Sequence, residues 1–327
     1  MNIIVEREKS LEALEQRIED LRARSARQGG ESSEDMRALE DRYAALQRDM
    51  FGHLTPWERV NMARHPRRPI ASDYIARLDE FDELHGDRQF RDDPALVGGL
   101  GRLNGRRIVV LAQQKGRDTK ENIRRNFGMV TPEGYRKARR LMELAGRFAL
   151  PIVSFVDTSG ADPGIASEER SQSEAIASCL LTLSRVPVPV VAAIIGEGGS
   201  GGALAIALAD HVIMLEHSIY SVASPEGCAA ILWADASRAE EAAARLKLTS
   251  DDLLGFGIVD EIVSEPLGGA HRDADRFVGR VLGTIDAALS HLSNVNRELL
   301  VERRRAKYRR IGAWQETSQR FASVAAR

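Results

Sequence analysis

Cysteine is nearly absent from this chain. The two present, Cys179 and Cys228, have no second Cys or His at zinc-ligand spacing, which excludes a disulfide framework and argues against a local metal site. Long apolar runs are missing too. The longest, 186–195, is broken by Pro187 and Pro189. It falls well short of the roughly 18 residues a membrane span needs. The N-terminus, MNIIVEREKS, brings its first charge at Glu6, too early for the apolar core of a signal peptide. The chain is therefore expected to be cytoplasmic. Neither sign of charge is in excess: 46 Lys+Arg stand against 48 Asp+Glu, a net charge of −2. Generic nucleic-acid binders carry a strong positive surplus instead. None of the seven histidines pairs at metal spacing, and His65, His85 and His271 read as structural.

What is present divides into three stretches. Over residues 1–50, Leu11, Leu14, Ile18 and Leu21 step by 3, 4 and 3, and Met36, Leu39, Tyr43, Leu46 and Met50 by 3, 4, 3 and 4. Each series draws an apolar stripe on a helix. Gly29-Gly30-Glu31-Ser32-Ser33 lies between them as a turn with a candidate N-cap, so two antiparallel helices are expected. From residue 108, short Val/Ile-rich runs at 108–112, 152–156, 188–195, 212–215 and 258–263 read as strands covered on both faces. They alternate with helical patterns at 132–149, 168–185, 200–209, 225–233 and 236–246, which implies βαβ-type units and an α/β class. Residues 297–310 hold seven basic residues against two acidic ones, a surplus of +5. A solvated or partner-docked helix is one reading of that surplus. A phosphate- or nucleic-acid-binding tail is the other, and it lacks a series of stacking aromatics.

Two glycine-rich segments carry the functional signal. The strand at 188–195 runs into Gly196-Glu197-Gly198-Gly199-Ser200-Gly201-Gly202 and then an apolar helix. Free amides at a helix N-terminus make an anion site. Such a site can hold a phosphate, or an oxyanion that develops during acyl or enolate chemistry. The phosphate reading has support, because Gly196-x-Gly198-x-x-Gly201 fits a dinucleotide fingerprint and Glu216 falls 20 residues after Gly196. Close helix–strand packing is a third reading. A second segment, Asp157-Thr158-Ser159-Gly160-Ala161-Asp162-Pro163-Gly164, follows the preceding strand, so the two should face one crevice. Neither has the Gly-Lys-Ser/Thr ending of a Walker A loop. Ser200 stands between Gly198 and Gly202 but has no nearby His in triad-like order. Backbone donors without acid–base side chains suit a reaction in which the substrates move their own protons.

An ordered series of motifs then resembles one family. It comprises Ala63-Arg64-His65-Pro66, Phe81-Asp82-Glu83-Leu84, Gly86-Asp87-Arg88, Lys115-Gly116-Arg117-Asp118-Thr119-Lys120, Arg124-Arg125-Asn126-Phe127-Gly128-Met129 and Pro132-Glu133-Gly134-Tyr135-Arg136-Lys137-Ala138. The glycine segment 196–204, Ser224-Pro225-Glu226-Gly227-Cys228 and Pro266-Leu267-Gly268-Gly269-Ala270-His271-Arg272 complete it. Together they closely resemble the carboxyltransferase alpha subunits of bacterial acetyl-CoA carboxylase, and this displaces the dinucleotide reading.

The resemblance implies a crotonase-like (ClpP/crotonase) α/β fold of stacked ββα units over 51–292. An N-terminal helical hairpin over 1–50 and a basic C-terminal helical tail over 293–327 flank it. It implies transfer of a carboxyl group from carboxybiotin, on a biotin carboxyl carrier protein, to acetyl-CoA, giving malonyl-CoA for fatty acid biosynthesis. The implied partners are a beta subunit in an α2β2 heterotetramer, the carrier protein and an ATP-using biotin carboxylase. Biotin would be the cofactor, and the family's zinc ribbon would lie on the beta subunit, leaving no metal on this chain. Carried onto this sequence, the amides of Gly201 and Gly202 form the oxyanion hole for the carboxybiotin carbonyl. Gly160, Ala161, Asp162, Gly198, Gly199 and Ser200 line the substrate site. The basic stretch 115–125 is expected to meet CoA phosphates or acidic partner residues. One departure stands out: Ser159 and Asp162 replace a Pro and a Tyr usual in the family. Ser frees φ, and Asp exchanges an apolar face for a charge. Another acyl-CoA therefore remains an alternative substrate.

Overall fold

A computed structural model describes residues 2–28 and 34–312. Eight strands form one mixed sheet: β1 (Glu80–Glu83), β2 (Leu96–Leu103), β3 (Arg106–Gln113), β4 (Ile152–Thr158), β5 (Val190–Gly199), β6 (His211–Leu215), β7 (Ile219–Ser221) and β8 (Glu261–Val263). Their order is β1-β2-β3-β4-β5-β6-β8, with β7 paired to the far end of β5. The first three strands are antiparallel, and every later pair is parallel.

The apolar runs are explained by burial on both faces. Along β5, Val190, Ala192 and Ile194 enter one core, while Val191, Ala193 and Ile195 enter another, as the period of two requires. Helices Pro132–Phe148 and Gln172–Leu183 cover the first face with Leu141, Met142, Cys179 and Leu183. Helix Ala274–Ser293 covers the second with Phe277, Val281, Ile285 and Leu289. Both cysteines are free. Among the described residues no helix is long and apolar enough to cross a membrane.

The strands expected at 108–112, 152–156, 188–195 and 212–215 are present with shifted ends. The one expected over 258–263 is confined to β8, because the amides of Ile258 and Val259 both bond back to the Leu253 carbonyl and close the preceding helix. The helix expected over 168–185 is two, Ile165–Glu169 and Gln172–Leu183, broken at Ser171 with φ 66°.

Helices Ile3–Gln28 and Glu34–Phe51 pack against each other as expected, and the turn at 29–33 lies outside the described residues. The pair reaches the body through Ile4, Leu11 and Phe51, which pack with Met62. A polar clasp reinforces it. The buried Glu8 accepts from His65 at 2.9 Å and His271 at 2.8 Å, and the two imidazoles stack 3.8 Å apart.

Candidate functional site

The site is built where β4 and β5 end side by side. β5 does not turn at Gly196. It continues as buried strand through Gly199, pairing Glu197, Gly198 and Gly199 with Ile219, Tyr220 and Ser221 of β7. The expected glycine-rich turn is thus a strand end, and the reversal is compressed into Ser200, whose φ is 53°. Glycine is required because backbone meets backbone. A Cβ on Gly199 would lie 2.1 Å from the Ser159 carbonyl oxygen, and one on Gly202 would lie 2.4 Å from the Ala161 nitrogen. The two glycine segments are therefore in direct contact, as their sequence order predicts.

Helix Ser200–Ala207 starts at this reversal. Gly201 and Gly202 fall in its first turn, where amides have no partner within the helix and the dipole favours negative charge. Gly201 is half-buried, Gly202 is buried and Ser200 is exposed. Gly198 and Gly199 lie inside the buried strand, so their contribution is close approach to neighbouring backbone and the Tyr220 ring.

In the facing loop, Gly160 has open space where a side chain would stand, and its amide donates to Thr158 Oγ1 at 3.2 Å. Ala161 packs on the core beneath. The Asp162 carboxylate accepts from Asn126 Nδ2 at 3.0 Å and Ser167 Oγ at 2.5 Å. Its main chain is held as well, by the Val130 carbonyl at 3.0 Å and Gln172 Nε2 at 3.1 Å. The charge that Asp162 brings is thus engaged in bracing the loop.

A charged cluster beneath the glycine strand was not picked out from sequence. Lys115 Nζ lies 2.8 Å from both Asp157 Oδ1 and Glu197 Oε2. Arg64 Nε lies 2.6 Å from Glu197 Oε1 and its Nη1 2.5 Å from Glu226 Oε1. Burial alone would raise the Glu197 carboxyl, but Lys115 and Arg64 outweigh it and hold it down to about 2. Burial would lower the Lys115 amine, yet Asp157 and Glu197 push it up. Glu197, Lys115 and Arg64 therefore stay charged at neutral pH. Lys115 therefore turns inward rather than joining a basic surface at 115–125, and Arg117 there pairs with Asp73. The legible signal was Glu197 itself, a carboxylate inside an apolar strand.

The dinucleotide alternative fails on geometry. Gly196 is buried in strand, with its Cβ position 2.4 Å from Asp157 Oδ1, so no phosphate-cradling loop exists there. Glu216 is engaged with the backbone, accepting from the Glu265 amide at 2.8 Å.

Solved structures share the fold. The chain superposes on a transcarboxylase 12S structure with a TM-score of 0.55 and 21% identity, covering 69% of this chain and 42% of that one. A Pseudomonas malonate decarboxylase hetero-tetramer in complex with coenzyme A gives 0.53 and 21%, over 66% and 89%. The fold is that of crotonase-like carboxyltransferases. Residues 4–312 match the family described as acetyl co-enzyme A carboxylase carboxyltransferase-like. The acetyl-coenzyme A carboxylase carboxyl transferase subunit alpha of Thermus thermophilus is 51% identical over 313 residues, 95% of this chain and 99% of the relative. That of Sorangium cellulosum is 52% identical over 308 residues, 94% and 97%. The chain belongs to the family of carboxyltransferase alpha subunits of acetyl-CoA carboxylase.

Proposed function

We propose that this subunit receives carboxybiotin, presented on a biotin carboxyl carrier protein, and directs its carboxyl group to the methyl carbon of acetyl-CoA. The observation that carries the reading is the Gly201–Gly202 pair in the first turn of helix Ser200–Ala207, with Gly202 pressed against the Gly160–Ala161 backbone. Two amides at a helix N-terminus, with no side chain on either residue, fit a ureido carbonyl oxygen that gains negative charge. Biotin supplies the transferable carboxyl and a nitrogen that takes up the methyl proton. The chain's own groups therefore need only bind, orient and stabilise charge.

The Gly160 loop forms the facing wall, and Ala161 and Asp162 hold its shape. Ser200, exposed beside the pair, meets the incoming substrate. A beta subunit completes the site in an α2β2 assembly and binds the acyl-CoA, while a biotin carboxylase recharges the biotin. The assembly works in the cytoplasm. The body over 51–292 carries this chemistry, and helices Ile3–Gln28, Glu34–Phe51 and Arg297–Arg309 brace it, while residues 313–327 of the expected C-terminal tail lie outside the described residues. The internal bonding of Asp162 favours acetyl-CoA over a substrate selected by its charge.

The test is reconstitution. With a biotin analogue and malonyl-CoA, the purified chain should turn over nothing until a beta subunit is added. Robust activity of the isolated chain overturns the shared-site reading, and failure of the assembled pair overturns the catalytic one.

A further inference from the structure

We propose that Tyr135 and Gln113 are positioning residues that set the orientation of the Gly201–Gly202 amides. The inference rests on the oxyanion reading of that pair. Gln113 Nε2 donates to the Gly202 carbonyl oxygen at 2.7 Å, and the Tyr135 hydroxyl donates to the same oxygen at 3.2 Å. Both residues have zero exposure, so no water competes for these bonds. In a regular helix a carbonyl at this position serves only the amide four residues on. Satisfying one buried oxygen does not call for two side-chain donors brought from two other elements.

The first turn needs outside restraint for a reason visible in its sequence. Gly201 and Gly202 have no side chains to lock by packing, and glycine has the largest backbone freedom of any residue. Only Ala203 onward anchors the helix in the core. Holding the Gly202 carbonyl fixes the peptide plane that follows Gly202. The plane before it, carrying the Gly202 amide, is then limited to a narrow range.

The two holders are themselves braced. Gln113 ends β3, and its Oε1 accepts from the Asp157 amide at 3.2 Å. The Asp157 carboxylate accepts from the Glu197 amide at 2.9 Å and pairs with Lys115 at 2.8 Å. The Gln113 carboxamide thus ties the end of β4 to the start of the helix. Tyr135 rises from the Pro132–Phe148 helix, and burial pushes its phenol well up, so it remains a donor throughout the neutral range.

The experiment uses the full chain assembled with its beta subunit, assayed with malonyl-CoA and a biotin analogue. Tyr135→Phe removes one oxygen and should lower kcat by about three- to tenfold, the scale of one neutral hydrogen bond. The KM for malonyl-CoA, the assembly state and the melting temperature should stay close to wild type. Tyr135→Phe combined with Gln113→Met should lower kcat by on the order of 30-fold or more. A Tyr135→Phe tetramer with unchanged kcat overturns the proposal. So does a loss of assembly in both Tyr135→Phe and Gln113→Met, which would make the pair structural. Gly201→Pro, which deletes one amide, runs in parallel. If it spares kcat, the oxyanion reading falls and takes this inference with it. If it lowers kcat by about 10²–10³ while Tyr135→Phe leaves kcat unchanged, only the positioning role falls.

Discussion

Arg304 closes on Asp210 through two bonds, Nε to Oδ1 at 2.9 Å and Nη2 to Oδ2 at 2.6 Å. The same guanidinium caps the carbonyls of Leu183, Val186 and Val188 at 2.5, 2.9 and 2.7 Å, at the end of helix Gln172–Leu183. Nearby, Tyr308 accepts from the Ala209 amide and Lys307 pairs with Asp260. The basic run that reads as a solvated or partner-docked helix, or as a phosphate- or nucleic-acid-binding tail, is a helix, Arg297–Arg309, docked on its own chain. Its sequence spends charge on both a buried face and an exposed one, which a simple count of Arg and Lys cannot separate.

Removing Arg304 leaves Asp210 buried and three carbonyls uncapped. Arg304→Ala should destabilise the subunit by about 3–5 kcal/mol, the scale for breaking a buried ion pair. Arg304→Lys should rescue little, since an ammonium cannot reproduce the five-donor fork. Arg303→Ala, on the exposed side, should change stability by less than about 0.5 kcal/mol. Denaturant unfolding of the three variants checks the ordering.

The hairpin clasp should be acid-sensitive. Burial opposes ionisation of Glu8, but its bonds from His271 and His65 win and hold the carboxyl well below its usual 4.5. A carboxyl depressed on folding contributes stability that is complete above its unfolded pKa and fades as pH falls below it. Burial lowers the His271 imidazole from 6.5, so the folded state also resists its protonation from about that pH downward. Wild type should then exceed Glu8→Gln in stability at pH 7, with the gap shrinking progressively below about pH 4.5. A gap that is constant from pH 7 to 3 contradicts the linkage.

The central strands were legible because the Val- and Ile-rich runs at β3 to β6 are buried on both faces and are mostly apolar, Ser154 of β4 excepted. β2 was not, since Gly98, Gly99 and Gly101 dilute its pattern. Those glycines answer to neighbours invisible in sequence: a Cβ on Gly99 would sit 2.1 Å from the Asp82 carbonyl oxygen of β1. The same logic hid the true end of β5, where glycine reads as a turn but serves strand-to-loop contact at Ser159. Helix Ala274–Ser293 has a readable stripe in Phe277, Val281, Ile285 and Leu289, and nothing in its chemistry drew attention to it. At the site, the adjacency of the two glycine segments followed from their places after successive strands. The cluster of Arg64, Lys115, Asp157, Glu197 and Glu226 did not, because its members come from five separate segments and meet only in the fold.

That cluster yields a third expectation. Lys115→Met would leave Asp157 and Glu197 facing each other with one cation fewer. The variant should lose about 3–5 kcal/mol of stability, as for one partner removed from a buried pair. Lys115→Met with Glu197→Gln should recover part of the loss, because the surplus negative charge is gone. A double-mutant cycle read by thermal unfolding checks this. Additive losses would mean that Lys115 and Glu197 do not act on each other.

The sharpest test of the glycine pair lies at Gly201 rather than Gly202. Any side chain at Gly202 collides with the Gly160–Ala161 backbone, so lost activity there would not separate chemistry from local unfolding. At Gly201 the nearest atom to an added Cβ is Ile176 Cγ2 at 3.8 Å, an ordinary contact. Gly201→Ala keeps the amide and should retain kcat within a few-fold. Gly201→Pro deletes the amide in the first helical turn, where proline costs no intrahelical bond. It should lower kcat by about 10²–10³, as expected for one lost oxyanion donor. The alanine variant reports on packing and the proline variant on the donor, so the ratio of their kcat values isolates the N–H. If both assemble with the beta subunit and turn over equally, the amide does not touch the developing charge, and the glycines serve packing alone.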